Sequence, residues 1–375
     1  MNFDFSDDQK LLKDQAAKFL AAKCKPEDVR KILEGDEPYD KALWKGIAEM
    51  GFLGTTIPEA YGGLGLGYLE LCVIAEELGR ACAPVPMSSS VYLASEAINR
   101  FGTETQKQAW LPKIASGEAI GCFAFAEGVQ APTARTIATT LSGGKVSGTK
   151  LPVADGDIAD VAVVVVKTGK GTSDSDLSLA LVDLSGAGVT RAPISTLDPT
   201  RSHATITFDG AAAELLGKEG EGWNQTQDVL NCAAVLVAFE QLGGTQAALE
   251  MAKGYALERY AFGRQIGSYQ AIKHKLADMY VKLELARGHC YYGAWALSTN
   301  SPELPLAAAG ARVAGTEAFR FAAQENIQTH GGIGYTWEAN TQFYYRRSKL
   351  LGLTLGAVGQ WKERIVRQLE QRNAA

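Results

Sequence analysis

The sequence has no CxxC pair, no basic surplus and no long uninterrupted apolar run. Each absence removes a class of function. The six cysteines, at positions 24, 72, 82, 122, 232 and 290, are scattered, so neither a disulfide framework nor a zinc site is expected. Free buried thiols fit a reducing compartment, which makes the cytoplasm the expected location. The formal charge of −5 argues against a nucleic acid or an anionic membrane as partner. No apolar run approaches the ~20 residues of a membrane span, so none is expected. The N-terminus, MNFDFSDDQK, is acidic and lacks a basic-then-apolar leader. His274 and His330 belong to no triad or metal constellation and read as structural.

What is present is enough for a packed protein. The 375 residues are 46% hydrophobic and 21% charged, which suggests two or three domains with ample core. Residues 1–118 read as helices. Ser6-Asp7-Asp8-Gln9 is a capping box, and Leu11, Leu12, Ala16, Phe19 and Leu20 continue a helical stripe. Further helices are expected at Lys41–Met50, closed by Gly51, and at about Tyr68–Ala81, Ser88–Phe101 and Thr103–Ser116. The last opens on a second capping box, Thr103 to Gln106. The glycine-rich loop Ile57–Gly65 has no nucleotide-loop spacing and reads as an inter-helix connection.

Residues 119–219 change character. β-rich runs lie between turn residues at Ala119–Ala126, Ala134–Leu141, Lys145–Val153, Val161–Lys167, Leu177–Asp183, Val189–Pro193 and His203–Phe208. Short strands at this spacing suggest a small antiparallel sandwich or barrel. Residues 220–375 return to helix: Gly222–Arg259, Gly267–Asn300, Pro302–Thr329, one more, and Val358–Gln371. Helices this long fit a four-helix bundle. The expected fold is mainly α with a central β domain, divided as 1–118, 119–219 and 220–375.

The chain is arranged around Tyr255–His274, YALERYAFGRQIGSYQAIKH. A long helix breaks at Phe262-Gly263 and again at Ile266-Gly267; a new helix then carries Gln270, His274 and Lys275. Arg259 offers forked donors, Phe262 a stacking face, and the next helix start its backbone N–H groups. Together these can hold a phosphate-bearing ligand. An interhelical turn with Arg259 paired to a carboxylate is the other reading.

With the glycine cluster His330–Tyr335, the motifs reach a family. R-x-x-F-G at Arg259–Gly263, Gln270 after it, and Q-x-x-G-G-x-G-Y at Gln328–Tyr335 resemble the flavin-dependent acyl-CoA dehydrogenases over the whole chain. The resemblance implies FAD as cofactor. It implies that Arg259, Phe262, Gly263, Gln270, Gln328, Gly331 and Gly332 are cofactor-binding, and that Arg259, Phe262, Gln328 and Gly332 reach a nucleotide held mainly by a neighbouring subunit. It further implies an acyl-CoA substrate, α,β-desaturation as in fatty acid β-oxidation, and an electron-transfer flavoprotein as acceptor. The oligomer would be homo- or heteromeric, with a dimer of dimers as its form. In the implied reaction a carboxylate removes the α-proton and the β-hydrogen leaves as hydride to the flavin. The thioester carbonyl is polarised by hydrogen bonds.

The departures concern one half of the site. The family's T-E-P-x-x-G-S-D stands here as Ala126-Glu127-Gly128-Val129-Gln130-Ala131, without the flavin-bonding hydroxyl. Its W-I-T/S-N stands as Pro152-Val153-Ala154-Asp155. Its Y-E-G-T-x-Q, with the usual catalytic glutamate, aligns with Thr354-Leu355-Gly356-Ala357-Val358-Gly359, so Leu355 replaces the base. The alternative glutamate position falls near Ala233, and the nearby Asp and Arg align with Asn231 and Ala234. Glu240, seven residues after Ala233 in an apolar stretch, is a candidate base, since an apolar setting raises a carboxyl pKa; a structural ion pair is the alternative. The losses resemble bacterial two-gene acyl-CoA dehydrogenases acting on steroid side-chain or dicarboxylic acyl-CoA esters. The runs Leu197–Arg201 and Ile206–Gly210 resemble the same branch. Three functions are open: a subunit that completes a partner's FAD site, a self-sufficient dehydrogenase using Glu240, and a divergent oxidase, desulfinase, monooxygenase or structural subunit of this fold.

Overall fold

The computed structural model describes residues 5–374. Residues 1–4 and 375, at the outer ends of the expected helical segments, lie outside it. Helix α1 (Asp7–Lys23) opens on the Ser6–Gln9 capping box, both of whose hydrogen bonds are made. Helix α2 (Pro26–Glu34) adds to the expected helices; proline stands at its first position, where no N–H is needed. Then come α3 (Lys41–Glu49), α4 (Tyr68–Arg80), a π-helical stretch Ser88–Ser95, α5 (Glu96–Phe101) and α6 (Glu104–Ala115). Helix α6 opens on the Thr103–Gln106 box.

Strands follow: β1 (Gly121–Ala124), β2 (Thr140–Ser142), β3 (Lys145–Ala154), β4 (Val161–Lys167), β5 (Leu177–Asp183), β6 (Val189–Pro193), β7 (His203–Ala212) and β8 (Glu214–Leu216). The remainder is α7 (Gly222–Glu258), a hairpin of β9 (Tyr260–Ala261) and β10 (Arg264–Gln265), then α8 (Gln270–Ser298), α9 (Leu304–His330), α10 (Thr341–Leu353) and α11 (Val358–Ala374). The chain divides into two compact units that interleave in sequence. A bundle unit takes the chain up to Lys31, Tyr68–Ala83 and the chain from Ala234. A sheet unit takes Ile32–Gly67 and Pro84–Ala233.

In the sheet unit the strand order is β6-β7-β3-β2-β4-β5-β8, with β1 also on β4. Most pairings are antiparallel, but β1 and β2 each run parallel to β4. The sheet is therefore mixed rather than wholly antiparallel. The long stretch between β1 and β4 lets the chain return in the same direction, as a parallel pairing requires. Strands β4 and β5 are buried on both faces, which is why they read as unbroken apolar runs. Of the expected strand Ala134–Leu141, only the end is extended. Thr133 and Thr136 instead close a turn, with the Thr136 hydroxyl donating to Ala131 O at 3.0 Å; such side-chain bonds compete with a ladder.

The bundle unit is built on the apolar length of α7. That helix is long and apolar enough to cross a membrane by length and composition, contrary to the expectation from its runs. However, 89% of its most apolar window is buried inside the protein, so it is a core helix. Its backbone touches α4. A β-carbon on Gly79 would meet Glu240 O at 1.9 Å, and one on Gly243 would meet Glu76 O at 1.8 Å. Only glycine permits that approach. Ala248 and Ala252 of α7 then pack with Met279 of α8 and Ala322 of α9.

The sheet unit holds an ion pair on a fully buried lysine. Lys150 on β3 is fully buried, with Nζ 2.7 Å from Glu127 Oε1 and 3.3 Å from Phe125 O. Glu127 also accepts the amides of Ala138 at 2.7 Å and Thr139 at 3.1 Å. Burial pushes the Lys150 ammonium down to about 8 against the pull of Glu127. Burial also raises the Glu127 carboxyl, but the charge and hydrogen bond of Lys150 and the Ala138 amide outweigh it and hold it below its ordinary value. Lys150→Met should cost about 1.5–3 kcal/mol, because it strips a charge-assisted hydrogen bond from the half-buried Glu127 carboxylate, which keeps only the Ala138 and Thr139 amides. Lys150→Met with Glu127→Gln should recover part of that loss, measured by urea unfolding. The folded chain releases the Lys150 proton near pH 8, the unfolded chain near 10.5. The stability gap between wild type and Lys150→Met should therefore widen as pH rises across that window.

Candidate functional site

The conspicuous motif of the sequence folds as a hairpin, not a plain interhelical break. After α7 the chain pairs Tyr260 with Gln265 and Ala261 with Arg264. The two residues between, Phe262 and Gly263, have φ of +52° and +80°, the signature of a tight hairpin turn. Glycine takes this conformation freely; phenylalanine is an outlier in it. The hairpin is braced from its own base. Arg264 stacks over the Tyr269 ring at 3.9 Å, the Tyr269 hydroxyl donates to Ala261 O at 2.9 Å, and Gln265 Nε2 donates to Leu257 O at 2.6 Å. Strands two residues long leave no alternation to read, which is why the sequence concealed them.

Bracing leaves the tip outward. Phe262 is 97% exposed. Arg259 is exposed and makes no side-chain hydrogen bond or ion pair among the described residues, so the reading that pairs it with a carboxylate of its own chain does not hold. Gln270 is the first residue of α8, exposed, at an end that no side chain caps.

The second motif closes α9. Gly331 has φ +61°, and Gly331–Tyr335 forms a single 3-10 turn. A β-carbon on Gly334 would meet Ile327 O at 2.4 Å, so that glycine serves packing. A β-carbon on Gly263, Gly331 or Gly332 would meet nothing within 4 Å. These three present open backbone, which lets a ligand come close. Gln328 is exposed and accepts the Tyr335 hydroxyl at 3.0 Å.

Two contacts join the helix ends that carry the two motifs. Tyr255 stacks on His330 with ring centroids 4.2 Å apart. Lys275 pairs with Glu325 at 2.8 Å. A β-carbon on Gly267 would lie 2.9 Å from Ala256 O. His330 is thus a structural residue, its Nδ1 2.8 Å from Asn326 O. His274 is exposed on α8. Among the described residues no group of His, Cys, Asp and Glu could hold a metal ion.

The other candidate positions look different. Ala126 and Ala154, in the sheet unit, are half-buried and offer no hydroxyl. Ala126 is stitched to β3 by its carbonyl, which accepts the Leu151 amide at 2.9 Å. After Ala154 comes Asp155, a buried carboxylate at φ +55° that accepts the Ser89 hydroxyl at 2.5 Å. Burial raises its pKa, opposed chiefly by the charge of Arg201. The neighbouring serines of the π-helical stretch are also used: Ser88 accepts from Arg201 at 3.1 Å and Ser90 from the Gly121 amide at 3.1 Å. Glu240 is fully buried where α7 meets α4, and it is not without an interaction partner.

Leu355 stands in a turn at φ +64°. Around it the carbonyls of Leu351 and Thr354 accept from Arg312, and Leu355 O accepts from Trp361 Nε1 at 3.1 Å. Burial pushes the Arg312 guanidinium down to about 9, still above neutral pH. Arg312 and Trp361 are the residues that sequence reasoning missed. The one signal is an arginine in the alanine-rich run of α9 with no carboxylate three or four residues away.

Comparison with known proteins agrees with the fold and the motifs. The family model described as acyl-CoA dehydrogenase, N-terminal domain, matches residues 6–118, and that of the C-terminal domain matches residues 220–369. The probable acyl-CoA dehydrogenase YngJ of Bacillus subtilis is 31% identical over 98% of this chain and 100% of its own length. The acyl-CoA dehydrogenase IpdE2 of Mycobacterium tuberculosis is 32% identical, covering 91% of each. The structure of the ChsE4–ChsE5 complex from Mycobacterium tuberculosis is similar with a TM-score of 0.89 at 27% identity, covering 99% of each chain. The chain belongs to the acyl-CoA dehydrogenase family of FAD-dependent oxidoreductases.

Proposed function

We propose that this chain is the FAD-sharing subunit of a heteromeric acyl-CoA dehydrogenase. It completes a flavin site carried mainly by a partner subunit and desaturates little or nothing by itself. The observation that carries this is the split among the positions that align with the family's flavin motifs. Arg259, Phe262, Gly263, Gly331 and Gly332 are exposed at joined helix ends, and Arg259 has no partner among the described residues. Ala126, Ala154 and Ala357 offer no hydroxyl, and Leu355 no carboxylate.

The outward half suits FAD. An always-charged, forked guanidinium matches a pyrophosphate. The Phe262 ring gives a stacking face, and the open glycines admit backbone donors. The other positions suit it poorly. Each missing hydroxyl bond costs on the order of 1 kcal/mol, so three weaken the chain's own flavin binding by roughly 100-fold. When bound, FAD accepts the hydride in α,β-desaturation of an acyl-CoA thioester, and an electron-transfer flavoprotein takes the electrons onward. The residues of this chain position the nucleotide end of that cofactor; the partner's carboxylate removes the α-proton. Glu240 is not assigned that proton, because it is fully buried and already engaged. The similarity to the ChsE4–ChsE5 complex supports a two-chain assembly. A steroid side-chain or dicarboxylic acyl-CoA is the proposed substrate class.

Purifying the chain alone and counting FAD per chain tests this. The expected result is far less than one FAD per chain and negligible acyl-CoA dehydrogenation. Co-expression with a family member that retains Thr-Glu-Pro and the catalytic glutamate should restore about one FAD per pair of chains. A full complement of FAD with ordinary turnover in the lone chain would overturn the proposal.

A further inference from the structure

Helix α10 ends in an unusual way. Helices commonly close on a left-handed glycine. Here the left-handed conformation falls on Leu355, φ +64°, and the glycine comes one residue later at Gly356. A residue with a β-carbon is disfavoured in that region and persists only where its surroundings hold it. Two buried side chains from other helices do so. Arg312 of α9 is 1% exposed. Its Nη2 donates to both Leu351 O and Thr354 O, while Nη1 donates to Gln241 Oε1 at 2.9 Å and Thr316 Oγ1 at 3.0 Å. Trp361 of α11 is fully buried and donates to Leu355 O at 3.1 Å.

No carboxylate pairs with Arg312 among the described residues. Its charge is met only by the carbonyl end of α10, where the helix dipole is negative, and by neutral oxygens. A buried charge without a counter-charge is a costly way to fill a core, and well-packed apolar side chains usually stabilise as much or more. Its cost is matched by what it fixes, the backbone of one turn.

We infer that Arg312 is a positioning residue: with Trp361 it holds the 354–357 turn and so fixes where side chain 355 stands. This deepens the function proposed above and rests on it for significance, since 355 is where this chain carries leucine in place of a carboxylate. The turn has kept a held, strained backbone although the side chain on it cannot take a proton. Arg312→Lys would keep the charge and one nitrogen to serve the two carbonyls, as Nη2 does, but lose the second arm that reaches Gln241 and Thr316.

Native-state hydrogen exchange of the purified chain tests this. The amides of Thr354 and Gly356, bonded to Leu350 O and Leu353 O at 3.0 Å each, report on the turn. Arg312→Met should speed their exchange by about tenfold or more, with amides in the middle of α8 changing less than about threefold. Arg312→Lys should restore much of the protection. In a Leu355→Gly background, Arg312→Met should matter less than about threefold, because glycine takes the left-handed conformation unaided. Uniform loosening of the whole bundle, or an equal effect in both backgrounds, would overturn the inference. If Arg312→Met does not fold, Trp361→Phe removes only the indole donor. It should speed Gly356 exchange by about threefold, and no change there would equally overturn it. FAD and partner enter none of these measurements, so failure of the shared-flavin function would leave their outcome untouched.

Discussion

Left-handed backbone at a residue that bears a β-carbon costs about 1–3 kcal/mol, and something must hold it. In this protein three of the residues under that constraint are Asp155, Phe262 and Leu355. Each lies at a position where the chain resembles, or departs from, a flavin-site motif. Asp155 follows Ala154 and is held by Ser89 and by its own amide on Ser202 O at 2.8 Å. Phe262 is held by a hairpin braced on Tyr269 and Gln265. Leu355 is held by Arg312 and Trp361.

Strain of this kind explains why side chains and backbone tell different stories. The side chains at Ala126, Ala154, Leu355 and Ala357 offer neither a hydroxyl nor a carboxylate. The backbone around Leu355 has not relaxed into a glycine-closed helix end. At the opposite extreme, the Arg259 side chain makes no hydrogen bond or ion pair among the described residues, and Phe262 stands 97% exposed at a left-handed φ. Both facts are economical if the chain works in company.

Much of the fold was legible in the sequence because its signals are local. The capping boxes at Ser6 and Thr103 are made as read. Strands β4, β5 and β6 begin and end where their expected runs do. What was not legible depends on distant partners. The parallel pairing of β1 with β4 needs register between strands far apart in the chain. The turn at Thr133–Thr136 hides in residues of strand-like composition. Of the candidate site, the motifs at Arg259 and Gln328 were readable, but the hairpin beneath Phe262 was not. Arg312 and Lys150 look like surface residues in sequence, and only the three-dimensional packing shows both to be buried.

The central claim is that Arg259 serves a flavin held by another chain. FAD retention in the mixed complex, with Arg259→Ala introduced only into this chain, tests that most directly. Loss of FAD from the complex is the expected result, because removing the guanidinium strips a charge-assisted contact from the partner's nucleotide. A complex that keeps its FAD, with affinity and turnover unchanged, would contradict it.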